Sequence, residues 1–305
     1  MARIGVTNLV EKNLDFWLND IFLDAGLYEN IELDETNFSS GNLSILQPVN
    51  EDGVVQTEGT TAFWKSQTPN WVYESGIVVP SGFNEPIVAS GVYISSVFKT
   101  KGDVTYAHAI DYFNGQVVFD TELPVSTDVK AEFSYKTVLV KFPDEKDEVF
   151  LGRIFTLNPE IEETTEVLFG SIRPTPIVLI EWSRTNTKGL QMGSSARIVD
   201  LKVMFHIMAQ REDDYILKDV MDTIMEEEGT VPVMVNWNLL EDPLDYNGDF
   251  ASGQEPFSFK AKQADNNVFF HKLYLESMDP QLVVNNISVR QAIISTNARV
   301  YLKEL

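Results

Sequence analysis

The stretch SSARIVDLKVMFHIMAQREDDYILKDVMDTIMEEE, residues 194–228, changes period halfway along. Up to Gln210 its apolar side chains alternate with polar ones through Ile198, Leu201, Val203, Phe205 and Ile207, the period of a strand with one buried face. A slip near Asp200 reads as a bulge. Beyond Asp214 the spacing becomes helical. Ile216, Val220 and Ile224, with Tyr215, Leu217 and Met221, form one apolar face, and Gly229 supplies a stop.

The neighbouring segments return to strand. PTPIVLIEWS (174–183) precedes the switch, and TVPVMVNW (230–237), EPFSFKAK (255–262), NVFFHKLYLESM (267–278) and SVRQAIISTNARVYL (288–302) follow it. The order β-β-α-β-β-β-β predicts an α+β fold, a mostly antiparallel sheet with one packed helix. Residues 171–305 form this domain, and the acid-rich FPDEKDEVF and LNPEIEETTE mark 143–170 as a linker or arm, since like charges at that density resist compaction.

Before the linker the pattern is β-rich. HAIDYFNGQVVFDTELPVSTDVKAEFSYKTVLV (108–140) alternates on both sides of Phe113-Asn114-Gly115, so Tyr106–Tyr112 and Gln116–Asp120 are expected to pair around a tight Asn-Gly turn. After Leu123-Pro124, a third strand follows through Val129, Ala131, Phe133, Tyr135 and Thr137. TAFWKS, NWVYES, GIVVP and PIVASGVYISSVFKT are further short β-rich runs, which makes 31–142 a sandwich-like module. The segment 30–60 has turn composition. Residues 1–30 carry an amphipathic helix over 8–25, with Asn8 as cap, Leu14, Leu18, Ile21 and Phe22 on one stripe, Phe16 and Trp17 at its edge, and Gly26 as stop.

The 305 residues suit two domains, and a net charge of −23 argues against binding nucleic acid by phosphate neutralisation. With no cysteine, thiolate chemistry is excluded. The N-terminus lacks the apolar core of a signal peptide, and no segment has the roughly 18 uncharged apolar residues needed to cross a bilayer, so no membrane is expected.

Little in the sequence points to catalysis. His108, His206 and His271 lie far apart within expected strands, and no nucleophile elbow, phosphate loop or dinucleotide fingerprint occurs. Asp245, Asn247 and Asp249 alternate as in a calcium loop, but Phe250 stands where the turn needs glycine and Pro256 where the bidentate glutamate belongs. No enzyme activity, cofactor or metal is expected.

Two segments carry a resemblance. The 104–140 hairpin, with its aromatic-Asn-Gly turn, valine-rich strand, Leu-Pro break and V-K-A-E-F-S-Y strand, resembles segments of virion structural proteins of tailed bacteriophages. The strand-to-helix run RIVDLKVMFHIMAQREDDYILKDVMDTIMEE is similar to the core of phage tail-terminator and related neck proteins. The resemblance implies a ring-forming subunit at the head–tail junction, located in the virion, with other neck and tail proteins as partners. DNA would pass through its channel without specific binding. It also implies packing and capping roles for Asp214, Leu217, Asp219 and Ile224, with residues 1–145 as an added module.

On that reading Trp17, Phe22, Tyr112, Asn114, Gly115, Leu217 and Ile224 are candidate assembly or packing residues. Asp144, Glu145, Asp147, Glu148, Glu212 and Asp213 are candidate channel-facing acids. The alternative is a baseplate or fibre-associated module gripping host glycan through Trp64, Trp71 and Tyr73.

Overall fold

The computed structural model describes residues 6–33, 43–141, 176–189, 197–210, 214–226, 230–232, 243–245, 247–254, 256, 258–261, 272–283 and 289–302. The chain divides into two compact units, neither continuous in sequence. The large-sheet unit comprises Met1–Ala25, Val138–Glu241 and Phe259–Leu305; the hairpin unit comprises Gly26–Thr137 and Asp242–Ser258. This grouping differs from the linear division expected above. The N-terminal helix belongs with the second half of the chain, and a late segment belongs with the first.

The fold is α+β with mostly antiparallel sheets. Among the described residues of the large-sheet unit, six strands run in the order β10-β11-β12-β15-β14-β13. They are β10 (Leu139–Lys141), β11 (Ile177–Gly189), β12 (Arg197–Gln210), β13 (Thr230–Pro232), β14 (Lys272–Val283) and β15 (Val289–Leu302). Among the described residues only the β10–β11 pair of this sheet is parallel. Along β12 every second residue, Val199, Leu201, Val203, Phe205, Ile207 and Ala209, is buried. Their same-face neighbours Val178, Ile180, Ala292 and Ile294 are buried too, which joins three strands into one apolar face.

The bulge expected near Asp200 lies across the ladder instead. The register shifts between Arg184 and Asn186 on β11, opposite Leu201 and Asp200, so β12 keeps a strict period of two and its neighbour carries the extra residue. Asp200 accepts a 2.7 Å hydrogen bond from Arg299 Nε directly across β12 and β15.

Helix α2 (Asp214–Glu226) buries Leu217, Val220 and Ile224 and packs against β12 and β15, as its apolar face requires. Helix α1 (Val6–Asp24) touches α2, β10 and β13. It begins at Val6, so Asn8 lies inside its first turn and is not the cap. Gly26 takes φ 81° just beyond its end, the left-handed stop that glycine provides. Residues 255–262, expected as a strand, contain a helical turn at Phe259–Ala261. No helix among the described residues is long and apolar enough to cross a membrane.

Among its described residues the hairpin unit holds three small sheets. Strands β2 (Gln47–Val49), β3 (Thr60–Lys65), β7 (Gln116–Pro124) and β6 (His108–Asp111) form one; β5 (Val97–Thr100), β4 (Gly91–Ile94) and β8 (Val129–Lys130) form another; β1 (Tyr28–Ile31) and β9 (Phe133–Lys136) pair as the third. The third strand expected after the hairpin is therefore split. Val129, Ala131 and Phe133 keep their alternate burial while the chain passes from one sheet to the next.

The β4–β5 connection is a two-residue turn in which Ser95 (φ 49°) and Ser96 (φ 69°) are both left-handed, a conformation that Asn and Gly adopt at lower cost than Ser. Replacing the pair by Asn-Gly is expected to raise stability by about 1 kcal/mol. A thermal melt checks this, and a lowered Tm would mean the serine hydroxyls hold the turn.

Candidate assembly surfaces

The β6–β7 hairpin forms, with His108 opposite Phe119 and Asp111 opposite Gln116, a register two residues away from the Phe113–Gln116 pairing that a two-residue Asn114-Gly115 turn would set. Its connection has four residues, Tyr112 to Gly115, and of these only Gly115 is left-handed, at φ 60°. The two-residue Asn-Gly turn is replaced because Asp111 organises the loop. Its Oδ1 accepts the backbone N–H groups of Phe113 (3.1 Å) and Asn114 (3.0 Å), and its Oδ2 accepts Asn114 Nδ2 at 2.6 Å. Gly115 is required twice over. A Cβ there would sit 2.5 Å from the Thr68 carbonyl oxygen and 2.8 Å from Trp71 Nε1, in a backbone conformation that L residues avoid.

The late segment 243–258 joins this hairpin. Tyr112 N–H donates to the Gly248 carbonyl (3.1 Å), and Ser75 Oγ donates to the Pro256 carbonyl (3.0 Å). Asp249 Oδ1 pairs with the Lys101 ammonium, and its Oδ2 accepts Ile110 N–H at 3.1 Å. Lys101 Nζ lies 5.2 Å from the Tyr112 ring centroid and 5.1 Å from that of Phe250. Two aromatic faces and a carboxylate thus surround one cation. Burial, reinforced by Asp249, pushes the Tyr112 phenol well above the ordinary tyrosine range, and its O–H donates to the Ala89 carbonyl at 2.6 Å.

The calcium-like spacing at 245–249 is accounted for by the same contacts. Asp245 Oδ1 accepts Asn247 N–H (2.8 Å), while Asp249 is committed to Lys101, Ile110 and Phe250. Among the described residues no group of three or more His, Asp or Glu side chains could hold a metal ion.

The aromatic candidates for glycan contact lie in the core. Trp64 and Trp71 are each 1% exposed, and Tyr73 is buried beside Tyr112 and Phe113. Trp71 stacks on Phe133 with centroids 4.1 Å apart and donates from Nε1 to the Thr68 carbonyl at 2.9 Å. None of the three offers a face to a sugar.

Most of the candidate assembly residues are internal packing residues. Trp17 and Phe22 are buried within their own unit, with the Trp17 ring centroid 6.4 Å from that of Phe205. Leu217, Ile224, Tyr112 and Gly115 are buried as well, whereas Asn114 is exposed. The proposed channel acids Asp144, Glu145, Asp147, Glu148, Glu212 and Asp213 lie outside the described residues.

The large sheet also offers, among the described residues, strand edges to a neighbour. Among the described residues β10 pairs with only Ile177–Leu179 of the 13-residue β11, and β13 with only Lys272–Tyr274 of the 12-residue β14. β10 and β13 are thus, among the described residues, the border strands of the large sheet, and a border strand is where a sheet can accept a further strand. Sequence periodicity identifies the strands, but it carries no information about which ones border a sheet. Compared with known proteins, the chain matches no family model, no curated protein and no solved structure.

Proposed function

We propose that this chain is a non-enzymatic structural subunit of a tailed-bacteriophage virion, assembling as a ring at the head–tail neck in the connector, adaptor or terminator class. The observation that carries the reading is the large sheet: four strands of 12–14 residues backed by α2, with β10 and β13 as its border strands among the described residues. Border strands on opposite sides of one sheet suit head-to-tail contact between identical copies, and contacts of that kind close into rings when the rotation between copies does. The sequence resemblance of the β12–α2 run to neck proteins supports a place at the head–tail junction.

The net charge of −23 adds a reason for that place. With Asp144, Glu145, Asp147, Glu148, Glu212 and Asp213 facing a lumen, the wall repels phosphate and DNA slides past without adhering. Light scattering on the purified chain, followed by negative-stain imaging, tests the reading. A multi-copy ring is expected, either alone or on addition of phage heads or tails. A monomer that ignores both overturns it. A ring reconstruction placing 144–148 and 212–213 on the outer rim would overturn the channel assignment alone.

A further inference from the structure

His108 opens β6 in a setting that suits only its neutral form. The residue is 5% exposed, with its ring centroid 5.4 Å from that of Phe119 on β7. Nδ1–H donates to the Tyr106 carbonyl at 2.7 Å, and the buried Nε2 has no hydrogen-bond partner. A proton on Nε2 would create a buried donor with no acceptor, beside the ammonium of Lys101.

The charged groups acting on the ring are Lys101 and Asp103 from the loop after β5, and Asp249 from the 243–258 segment. Asp103 is engaged by the N–H groups of Thr105 and Tyr106 and by Lys99. Asp249 is the carboxylate that ties the late segment down through Lys101 and Ile110.

We propose that His108 is an acid-sensitive catch: when it takes a proton from solvent, Asp249 is drawn away from Lys101 and Ile110, and the Asn247–Phe250 turn releases the β6–β7 hairpin.

Burial holds the imidazole below the ordinary histidine value, with Lys101 adding to the effect. The sign follows from linkage. The fastened state binds its proton less readily than the released state, so fastening is at full strength above the ordinary value of about 6.5. It weakens as pH falls through that value, and the loss levels off below the lowered value of the fastened state.

Hydrogen exchange on the intact chain, with protection factors compared at pH 7.5 and pH 5.5, reads this directly. Residues 243–254 are expected to lose up to about tenfold protection at the lower pH, the limit for one proton taken up one unit below its released-state value. In His108→Phe, which keeps the packing against Phe119, the two pH values should give equal protection. Unchanged protection in the wild type, or the same loss in His108→Phe, overturns the proposal. Should His108→Phe not fold, the wild type still decides. The His108 imidazole and Gly248 amide NMR signals must titrate with one midpoint below 6.5, and separate midpoints overturn the catch.

Discussion

Phe205→Ala is expected to destabilise the large-sheet unit by about 3–5 kcal/mol, read as a fall in the urea midpoint with an unchanged slope. Phe205 is fully buried at the middle of β12, beside Trp17 of α1 and opposite Ile180 and Ile294 on the flanking strands. Removing the ring leaves a cavity that the two adjoining strands cannot fill, because their ladders fix the spacing. Against a typical domain stability of 5–15 kcal/mol this is a large fraction. Lys202, on the outward face of the same strand, provides the contrast: Lys202→Ala should change stability by less than about 0.5 kcal/mol. Equal effects at the two positions would show that β12 does not present Phe205 to a core.

Trp71→Ala should cost the hairpin unit a similar amount, about 3–5 kcal/mol, by a different route. The variant loses the stack on Phe133 and also leaves the buried Thr68 carbonyl without its indole donor. Trp71→Phe keeps much of the stack and loses only the donor and part of the volume, so about 1–2 kcal/mol is expected. Differential scanning calorimetry checks the order. A Trp71→Ala protein that melts like wild type and has lost affinity for a host glycan would return this residue to ligand contact and favour the fibre-associated alternative.

What the sequence reveals of this fold follows from the range over which each structure is decided. The β12–α2 switch and the β6–β7 pairing are local, so their periods of 2 and 3.6 residues mark them directly. The hairpin loop escapes a dipeptide rule because the Asp111 carboxylate, one residue outside the loop, supplies the turn's hydrogen bonds and leaves Asn114 with a negative φ. The split of the third strand escapes because alternate burial continues through Val129, Ala131 and Phe133 whichever sheet each belongs to. The slip read at Asp200 comes from Ile198, which is half-buried while Val199 is the buried member of an unbroken period of two; the extra residue itself is on β11. The Lys101–Asp249 contact spans 148 positions, and neither residue falls in a motif that points to the other. Among the site candidates, apolar pattern identifies Trp17, Phe22, Leu217 and Ile224 as buried residues. Whether such a residue serves its own protomer or a neighbour is settled by contact, and Trp17 shows it by lying beside Phe205.

The interleaved order of the two units sets a schedule for synthesis. Residues 26–137 leave the ribosome early, yet the hairpin unit gains Asp249 and Gly248 only after the chain has grown past residue 258. Helix α1 precedes the other described elements in the chain, and β15, the strand beside β12 in its sheet, follows them. At about 5–20 residues per second, the apolar stripe of α1 and the buried face of β12 wait for seconds to tens of seconds without the strand that completes their core. The buried face of β12 thus stays uncovered until residues 289–302 have been made, and a truncated product ending before residue 289 would expose Phe205 and its neighbours as an aggregation-prone surface.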